Sequence, residues 1–438
     1  MQIDPTTYAD LSIFLAEEDS SIFHRLDFTR TQSGKDILLQ AFKHPLKTQE
    51  EIQATQAILQ AIREKISQWP ERVTNGTLLV VEKFLDYPMD AMPASPARFQ
   101  SSLYRLLHGP DFSLARYSLT HVVDLVRGLK AITDLFPQQA WPEQLARTLA
   151  RTCSLLQHRQ LTALLERAEG TAFNTSETIR YARFFHQAFH RQTQELIQLF
   201  GRWDAWYSMA KAMDAYGLVF PEVTHEPTPR LEAEGLFHLL LSHPVPYDIC
   251  MDAQAHFIFL TGANMAGKST CIKAVGLATF LAHLGMGVPA QRMRLSVFDG
   301  ILSNINVSDN IAKGESYFYN EVHRIRQTIE TIRDGRRWLV LIDEIFKGTN
   351  IQDAMKCSLA VIRGLLRIRQ TLFILSTHLY EIGEDLKDEP TIRFRHFQTS
   401  IIDDQLTFHY QLREGISQDR FGYLLLQQEG VVGLLEAL

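Results

Sequence analysis

The strongest constraint on the fold of this 438-residue chain is the run Gly262-Ala-Asn-Met-Ala-Gly-Lys-Ser-Thr270. It has the pattern G-x-x-x-x-G-K-S, in which glycines let the backbone turn tightly and point its N–H groups at phosphate oxygens. Lys268 would reach the β- and γ-phosphates, and the Ser269 hydroxyl would coordinate Mg²⁺. The predicted ATP-binding residues of this loop are Gly262, Ala263, Asn264, Met265, Ala266, Gly267, Lys268, Ser269 and Thr270.

The sequence on either side of this loop has the pattern that such a loop requires. Residues 256–261 form a short apolar run typical of a buried strand, and residues 268–285 carry apolar residues at helical spacing. A strand before the loop and a helix after it distinguish a phosphate-binding loop from a chance glycine-rich turn.

Two carboxylates end the next apolar run, Trp338-Leu-Val-Leu-Ile-Asp-Glu344. An unbroken apolar run is typical of a parallel strand buried on both faces, and open α/β sheets bind ligands beyond the carboxyl ends of such strands. Asp343 would then hold Mg²⁺, and Glu344 would act as general base towards water. The alternative is a solvated strand end, which the upstream loop makes the weaker interpretation.

A third apolar run, residues 371–378, ends in His378. A neutral imidazole at this position would contact the γ-phosphate or orient the attacking water, so His378 is a third candidate catalytic residue beside Glu344 and Lys268. The alternative is a histidine that bonds only to the backbone at a strand end.

Charge and composition exclude several classes of protein. The net charge is −6, so the chain as a whole has no basic footprint for a polyanion. The formal charges of residues 1–90 sum to about −5, and those of residues 91–220 to about +4. The mildly basic segment 91–220 is either a candidate phosphate contact or a chance distribution of surface charge.

The cysteines and apolar segments indicate a cytoplasmic protein without a membrane anchor. Cys153, Cys250, Cys271 and Cys357 lie far apart with no C-x-x-C spacing, as expected of reduced thiols. Residues 1–30 lack the apolar core of a signal peptide. The longest apolar stretch, residues 274–288, is too short to span a bilayer.

The chain divides in the sequence into a helical half and an α/β half. Residues 1–220 are predicted to be helical, with capping boxes at Thr48/Glu51 and Asn174/Glu177 and an apolar stripe from Ile179 to Tyr216 that indicates core packing rather than base stacking. The proline-rich residues 221–233 are predicted to be a linker. Residues 234–438 are predicted to form a P-loop ATPase domain with a mostly parallel sheet and an antiparallel edge hairpin over residues 392–397 and 406–412.

Several of these segments resemble the ATPase domain of MutS-type DNA mismatch repair proteins. The resemblance rests on TGANMAGKST at residues 261–270, DEIFKGT at 343–349, STH at 376–378, SDNIAKGESYF at 308–318 and YQLREG at 410–415. It covers residues 234–438, and a weaker similarity near residues 29–56 suggests a shortened lever domain over residues 1–220.

The resemblance implies a fold and a mechanism. Family ATPase domains are ABC-like and dimerise, so the residue 308–318 loop of one copy would approach the nucleotide of the other. On this basis Asn310 and Ser316 would act in trans, and Tyr410 would line the adenine pocket. From the residues alone, Ser316 is equally a surface or N-cap residue and Tyr410 a core strand residue.

The chain also departs from the family pattern. No segment resembles the mismatch-reading domain, the DNA clamp is shortened or missing, and residues 315–317 read Glu-Ser-Tyr where the family commonly has a basic residue before Ser-Thr. We therefore expect a family member without its own mismatch-reading domain.

Two functions compete on these grounds. The first is a Mg²⁺-dependent ATPase, a homodimer through its ATPase domains, that couples nucleotide state to DNA binding in repair or recombination. The second is a nucleotide-gated module whose helical half binds a protein partner and not DNA.

Overall fold

The computed structural model describes residues 1–93, 97–137, 139–306, 317–402, 405–417 and 430–436. Helices fill most of the first half of the chain, and strands alternate with helices in the second. The first half contains β1 (Gln2–Ile3), α1 (Pro5–Asp10), α2 (Ile22–Leu26), α3 (Gln32–Lys43), α4 (Gln49–Arg63), α5 (Asn75–Asp86), α6 (Arg98–Leu107), α7 (Gly109–Asp134), α8 (Glu143–Leu156), α9 (Arg159–Leu165), α10 (Thr175–Arg183) and α11 (His190–Ala215). The second half contains β2 (Glu222–Thr224), β3 (Leu231–Leu236), β4 (Tyr247–Met251), β5 (Phe257–Thr261), α12 (Lys268–Ala282), β6 (Arg292–Ser296), β7 (Gly300–Asn304), α13 (Tyr317–Ile332), β8 (Trp338–Asp343), α14 (Ile351–Leu365), β9 (Thr371–Ser376), α15 (Tyr380–Leu386), β10 (Ile392–Ile402), β11 (Gln405–Glu414) and α16 (Val431–Glu436).

The larger sheet has seven strands in the order β1-β7-β8-β9-β5-β10-β11. Every neighbouring pair is parallel except β10 and β11, which form the antiparallel hairpin at one edge. Strands β5, β8 and β9 are buried along their whole length, as their unbroken apolar sequences predict. The mixed helical and parallel-sheet class predicted from the sequence is confirmed.

A second sheet has four strands in the order β2-β6-β3-β4. It contains part of the stretch that we predicted to be a linker, because β2 (Glu222–Thr224) pairs with β6 and β3 begins at Leu231. The three prolines that suggested a linker, Pro221, Pro227 and Pro229, all lie outside these strands, where the lack of a proline N–H does not interrupt the ladder.

The structure separates into two compact units whose boundary differs from the predicted one. One unit contains residues 1–25, 44–56 and 215–438, and the other contains residues 26–43 and 57–214. Within the predicted helical residues 1–220, the segments 1–25, 44–56 and 215–220 therefore belong to the α/β unit. Helix α4 has residues in both units.

In the helical unit, the capped helices and the aromatic stripe follow the sequence with one interruption. Asn174 and Glu177 form the predicted capping box, and Trp203 and Met213 are fully buried. The predicted continuous stripe is broken by a π-helical turn at Phe184–Ala188 between α10 and α11. Apolar periodicity does not report the single extra residue of such a turn. No helix in the described residues combines the length and hydropathy needed to cross a membrane.

The first residues of the chain complete the edge of the larger sheet. Strand β1 pairs with β7, and the carboxylate of Asp10 at the end of α1 is buried against the end of that strand. Asp10 accepts hydrogen bonds from Ser303 Oγ at 2.6 Å, from the Ile305 N–H at 3.0 Å and from the Asn306 N–H at 3.1 Å. This N-terminal segment therefore fixes the backbone where β7 leaves the sheet.

A buried histidine joins three distant segments of the same unit. His283, just after α12, is fully buried; its Nδ1 lies 3.0 Å from the Leu46 carbonyl oxygen, and its Nε2 accepts the Phe298 N–H at 3.2 Å. These partners require a neutral imidazole with its proton on Nδ1. Burial lowers the pKa of His283 to about 4.

We expect His283 to make the fold less stable as the pH falls from about 6.5 to 4. The unfolded chain binds a proton there that the folded protein excludes, so His283 removes up to about 3 kcal/mol of unfolding free energy across this range. A His283→Gln variant keeps an acceptor and a donor and should show a shallower fall in denaturant unfolding. Burial also lowers the pKa values of His238 and His256 to about 4. The wild type and the His283→Gln variant both contain these histidines, so the difference between the two proteins reports His283. Equal slopes for the two proteins would show that the imidazole is not held neutral.

Candidate functional site

The glycine-rich loop leaves the carboxyl end of β5 and turns into α12 at Lys268. Gly262 has φ of 135°, and a side chain there would lie 3.4 Å from the backbone of Phe397. Gly267 has φ of 110° and lies immediately before the first residue of α12. Both positions need glycine because an L side chain is strained at these angles. The loop brings the positive N-terminal end of α12 to the edge of the sheet.

The Lys268 ammonium closes the loop from inside. Its Nζ donates to the Gly262 carbonyl at 2.8 Å and to the Ala263 carbonyl at 2.9 Å, and the side chain is buried. Burial lowers the pKa of Lys268, while the carboxylates of Glu344 and Asp343 raise it. A buried cation that lines a cavity is arranged to bind an anion such as a phosphate.

Strands β8 and β9 place the carboxylate of Asp343 beside the hydroxyl of Ser376. Asp343 pairs in register with Ser376, whose hydroxyl donates to Asp343 Oδ1. Asp343 is buried, and the exposed hydroxyl of Ser269 lies in the first turn of α12. Carboxylate and hydroxyl oxygens are the hard donors that Mg²⁺ prefers, so this set fits the predicted metal ligands.

Glu344 follows Asp343 in a strained backbone conformation. Its φ is 57°, in the left-handed region, and its N–H donates to the Ser376 carbonyl at 3.0 Å. Its Oε2 lies 3.6 Å from His378 Nδ1 and 3.0 Å from Lys347 Nζ. The hydrogen bond with His378 has the largest effect on Glu344 and, together with Lys347, lowers its pKa to about 2. The structure thus brings Glu344 and His378 together, as the catalytic prediction requires.

A cavity of about 490 Å³ opens over the loop. Tyr410, with φ of 54°, forms one wall, and a side chain on Gly267 would lie 3.5 Å from its ring. The predicted residues that line this cavity are Asn264, Met265, Gly267, Lys268, Ser269, Thr270, Glu344 and Tyr410. Gly262, Ala263, Ala266, Asp343 and His378 are not among the described lining residues. Asn310 and Ser316 lie outside the described residues.

The sequence of this part of the chain matches one known domain family. Residues 258–431 match MutS domain V. The DNA mismatch repair protein MutS of Sorangium cellulosum is 32% identical over 249 residues, which cover 54% of this chain and 26% of that protein. The mismatch repair protein spellchecker 1 of Drosophila melanogaster is 31% identical over 213 residues, covering 44% and 22%. The mismatch repair protein msh3 of Aspergillus oryzae is 27% identical over 247 residues, covering 54% and 22%.

The chain contains a MutS-type domain. It spans between 22% and 26% of the length of these relatives. The match begins in β5 and ends in α16, so it includes the loop, both carboxylates and the edge hairpin.

Several residues at this MutS-type site were not predicted from the sequence. One wall of the cavity comes from the segment between β3 and β4 and another from β10. The residues not predicted from the sequence are Leu241, Ser242, His243, Val245, Tyr247 and Phe397. No motif marks them, because they reach the cavity through the pairing of distant strands.

A buried carboxylate on α13 holds the loop that follows Glu344. Glu321 Oε1 accepts the Lys347 N–H at 3.1 Å, and its Oε2 accepts the Gly348 N–H at 3.2 Å. Glu344 and Phe346 both have positive φ, which for non-glycine residues persists only where the surroundings fix it. Glu321 therefore positions the strained segment that carries the candidate base.

We expect Glu321→Gln to destabilise this segment, because the amide nitrogen cannot accept the hydrogen bond of a backbone N–H. One buried donor would be left unpaired, which costs about 1–3 kcal/mol of unfolding free energy. Hydrogen exchange at the Lys347 and Gly348 amides should also accelerate. The matched control is Glu330→Gln on the same helix. Among the described residues its exposed carboxylate bonds to Arg326 alone, so this variant should leave both measurements little changed. Unchanged exchange in Glu321→Gln would remove its positioning role.

Proposed function

We propose that this MutS-type chain hydrolyses ATP with Mg²⁺ at the cavity over the Gly262–Thr270 loop. The observation that carries the proposal is the pairing of Glu344 with His378 beside the buried Lys268 ammonium. A phosphate-binding cation, an ionised carboxylate and a second polar side chain meet at one edge of a parallel sheet, which is where such sheets bind their ligands.

Each residue has a defined part in this proposal. Lys268 exchanges its two loop carbonyls for phosphate oxygens, and the backbone N–H groups of the loop bind the remaining oxygens. Glu344 accepts a proton from the attacking water. His378 holds the Glu344 carboxylate in its ionised form. Ser269 and Asp343 would hold Mg²⁺, which neutralises phosphate charge when bound. Tyr410 faces the cavity as a wall for the base.

Glu344→Gln is expected to slow ATP hydrolysis by about 10²- to 10⁴-fold while ATP still binds. The amide keeps the size of the side chain but cannot accept a proton. Steady-state phosphate release measures the rate, and fluorescence of a labelled ATP analogue measures binding. Lys268→Ala should lose binding itself. Since the pKa of Glu344 is about 2, no step in the rate between pH 5 and 9 should come from its titration.

The exposed Glu330→Gln variant serves as the control for this assay, because its carboxylate lies outside the cavity lining. Hydrolysis by Glu344→Gln at the wild-type rate would show that another group is the base. Hydrolysis by Lys268→Ala at the wild-type rate would place the nucleotide elsewhere.

We further propose that nucleotide state changes the affinity of the chain for DNA. The relatives that share its domain V are DNA mismatch repair proteins. A coupling of this kind requires two arrangements with different DNA affinity.

This coupling should appear as an affinity difference of about 5- to 150-fold between ATP and ADP. Fluorescence anisotropy would compare homoduplex, mismatched, branched and single-stranded DNA with the Glu344→Gln protein in ATP, in ADP and without nucleotide. Binding should weaken steeply between two salt concentrations, because protein cations displace counterions from DNA phosphates. Lys268→Ala should abolish the nucleotide effect. Binding that ignores both nucleotide and salt would contradict the proposal.

A further inference from the structure

A second cavity lies in the helical unit and is lined by arginines. Its volume is about 390 Å³, and its wall includes one face of α7, the end of α9 and the segment 167–173. Four guanidinium groups line it, those of Arg72, Arg116, Arg127 and Arg167. All of these residues belong to the unit formed by residues 26–43 and 57–214, so the cavity is distinct from the nucleotide site.

Two of these arginines hold the 167–173 segment in place. Arg127 donates to the Arg167 carbonyl at 2.6 Å. Arg167 donates to Glu177 at 2.9 Å and to the Ala172 carbonyl at 3.2 Å, and its guanidinium stacks 4.6 Å from the centre of the Phe173 ring. Their side chains are 17% and 19% exposed, so they form rigid walls. Glu177 balances the charge of Arg167 without lining the cavity.

The remaining cationic charge is only partly balanced. Arg72 donates to Asp124 at 3.1 Å and pairs with Glu169, and Arg127 lies 3.8 Å from the same Glu169 oxygen. Within the described part of the chain, the exposed Arg116 has no hydrogen bond or ion pair. Arg72, Arg116 and Arg127 therefore face the cavity against Asp124 and Glu169.

Glu169 is the one displaceable group in this cluster. Its side chain is 65% exposed, and it lies beside Gly170, whose φ of 75° turns the segment. An exposed ion pair contributes little, so an anionic ligand that reaches Arg72 and Arg127 can replace this carboxylate. With Glu169 displaced, three guanidiniums face one carboxylate, and the local charge of about +2 matches a dianion.

We propose that this cavity binds a phosphate monoester, with Arg116, Arg72 and Arg127 as its ligands and Glu169 as the intramolecular group that it displaces. Guanidinium forks match the oxygens of phosphate in bidentate geometry. A monoester carries close to two charges at neutral pH and has an unsubstituted face of three oxygens. The monoester is either a free phosphate compound or the 5′-phosphate at the end of a DNA strand.

The test is calorimetric titration of the full chain that carries the Lys268→Ala substitution. This substitution removes the phosphate-binding ammonium of the nucleotide site, so that site no longer competes for the probe. Glycerol 2-phosphate, a phosphate monoester, is the free probe. A 5′-phosphorylated oligonucleotide and the same oligonucleotide with a 5′-hydroxyl test the strand end, and citrate tests carboxylates. The proposal expects saturable binding of glycerol 2-phosphate, or of the phosphorylated oligonucleotide in preference to the 5′-hydroxyl one, and the probe that binds identifies the source.

Matched variants assign the binding to the cavity. Arg116→Gln should weaken it about 10- to 100-fold, because one charge-assisted contact is lost. Glu169→Gln should tighten it, by up to about fivefold, because the competing carboxylate is gone. Arg147→Gln is the control, since that arginine is 75% exposed on α8, pairs only with Glu143 and lies away from the cavity.

Three results would overturn the proposal. They are no saturable binding of either phosphate probe, equal weakening in Arg116→Gln and Arg147→Gln, and citrate binding as tightly as glycerol 2-phosphate. Weaker binding in Glu169→Gln would show that Glu169 supports the cavity and is not displaced. Because the site at Lys268 is removed throughout, none of these results depends on whether the chain hydrolyses ATP.

Discussion

The parallel register of β5, β8 and β9 is the constraint on which the candidate site depends. Leu260 pairs with Ser376, and Ser376 pairs with Asp343, so the three strands end at one level. The loop before α12, the carboxylates after β8 and the histidine after β9 consequently leave the sheet side by side. A shift of one residue in the pairing of β8 with β9 would turn Asp343 to the opposite face of the sheet, because successive side chains alternate. Continuous burial of these strands makes that shift costly.

The charges at this edge depend on one another. Lys268 is buried and would lose its proton more readily without Glu344 and Asp343 nearby. Glu344 is partly buried and stays ionised because His378 and Lys347 face it. The cation that is to bind phosphate and the carboxylate that is to accept a proton are thus held in their charged forms by opposite charges. Without Glu344 and Asp343, burial would lower the pKa of Lys268 further. Without His378 and Lys347, burial would raise the pKa of Glu344.

The parts of the fold that were predictable from sequence are those that short stretches specify. Glycines at 262 and 267, the apolar strands and the capping box at Asn174 are local patterns, and the elements begin and end within a few residues of where these patterns place them. Long-range pairing carries no such signal. Residues 1–25 look like the start of a helical domain, yet β1 pairs with β7 about 300 positions later. Glu321 and the Leu241–Tyr247 wall escaped prediction for the same reason.

Buried acids fix the ends of strands in two places, and this explains why the missed residues matter. Asp10 holds the N–H groups of Ile305 and Asn306 where β7 ends, and Glu321 holds those of Lys347 and Gly348 beyond β8. In each case a side chain far away in sequence satisfies backbone donors that the sheet leaves unpaired. The strained φ of Glu344 is stable only with such support. A site built from local motifs alone would have the right groups but would lack the buried acceptors that hold them in position.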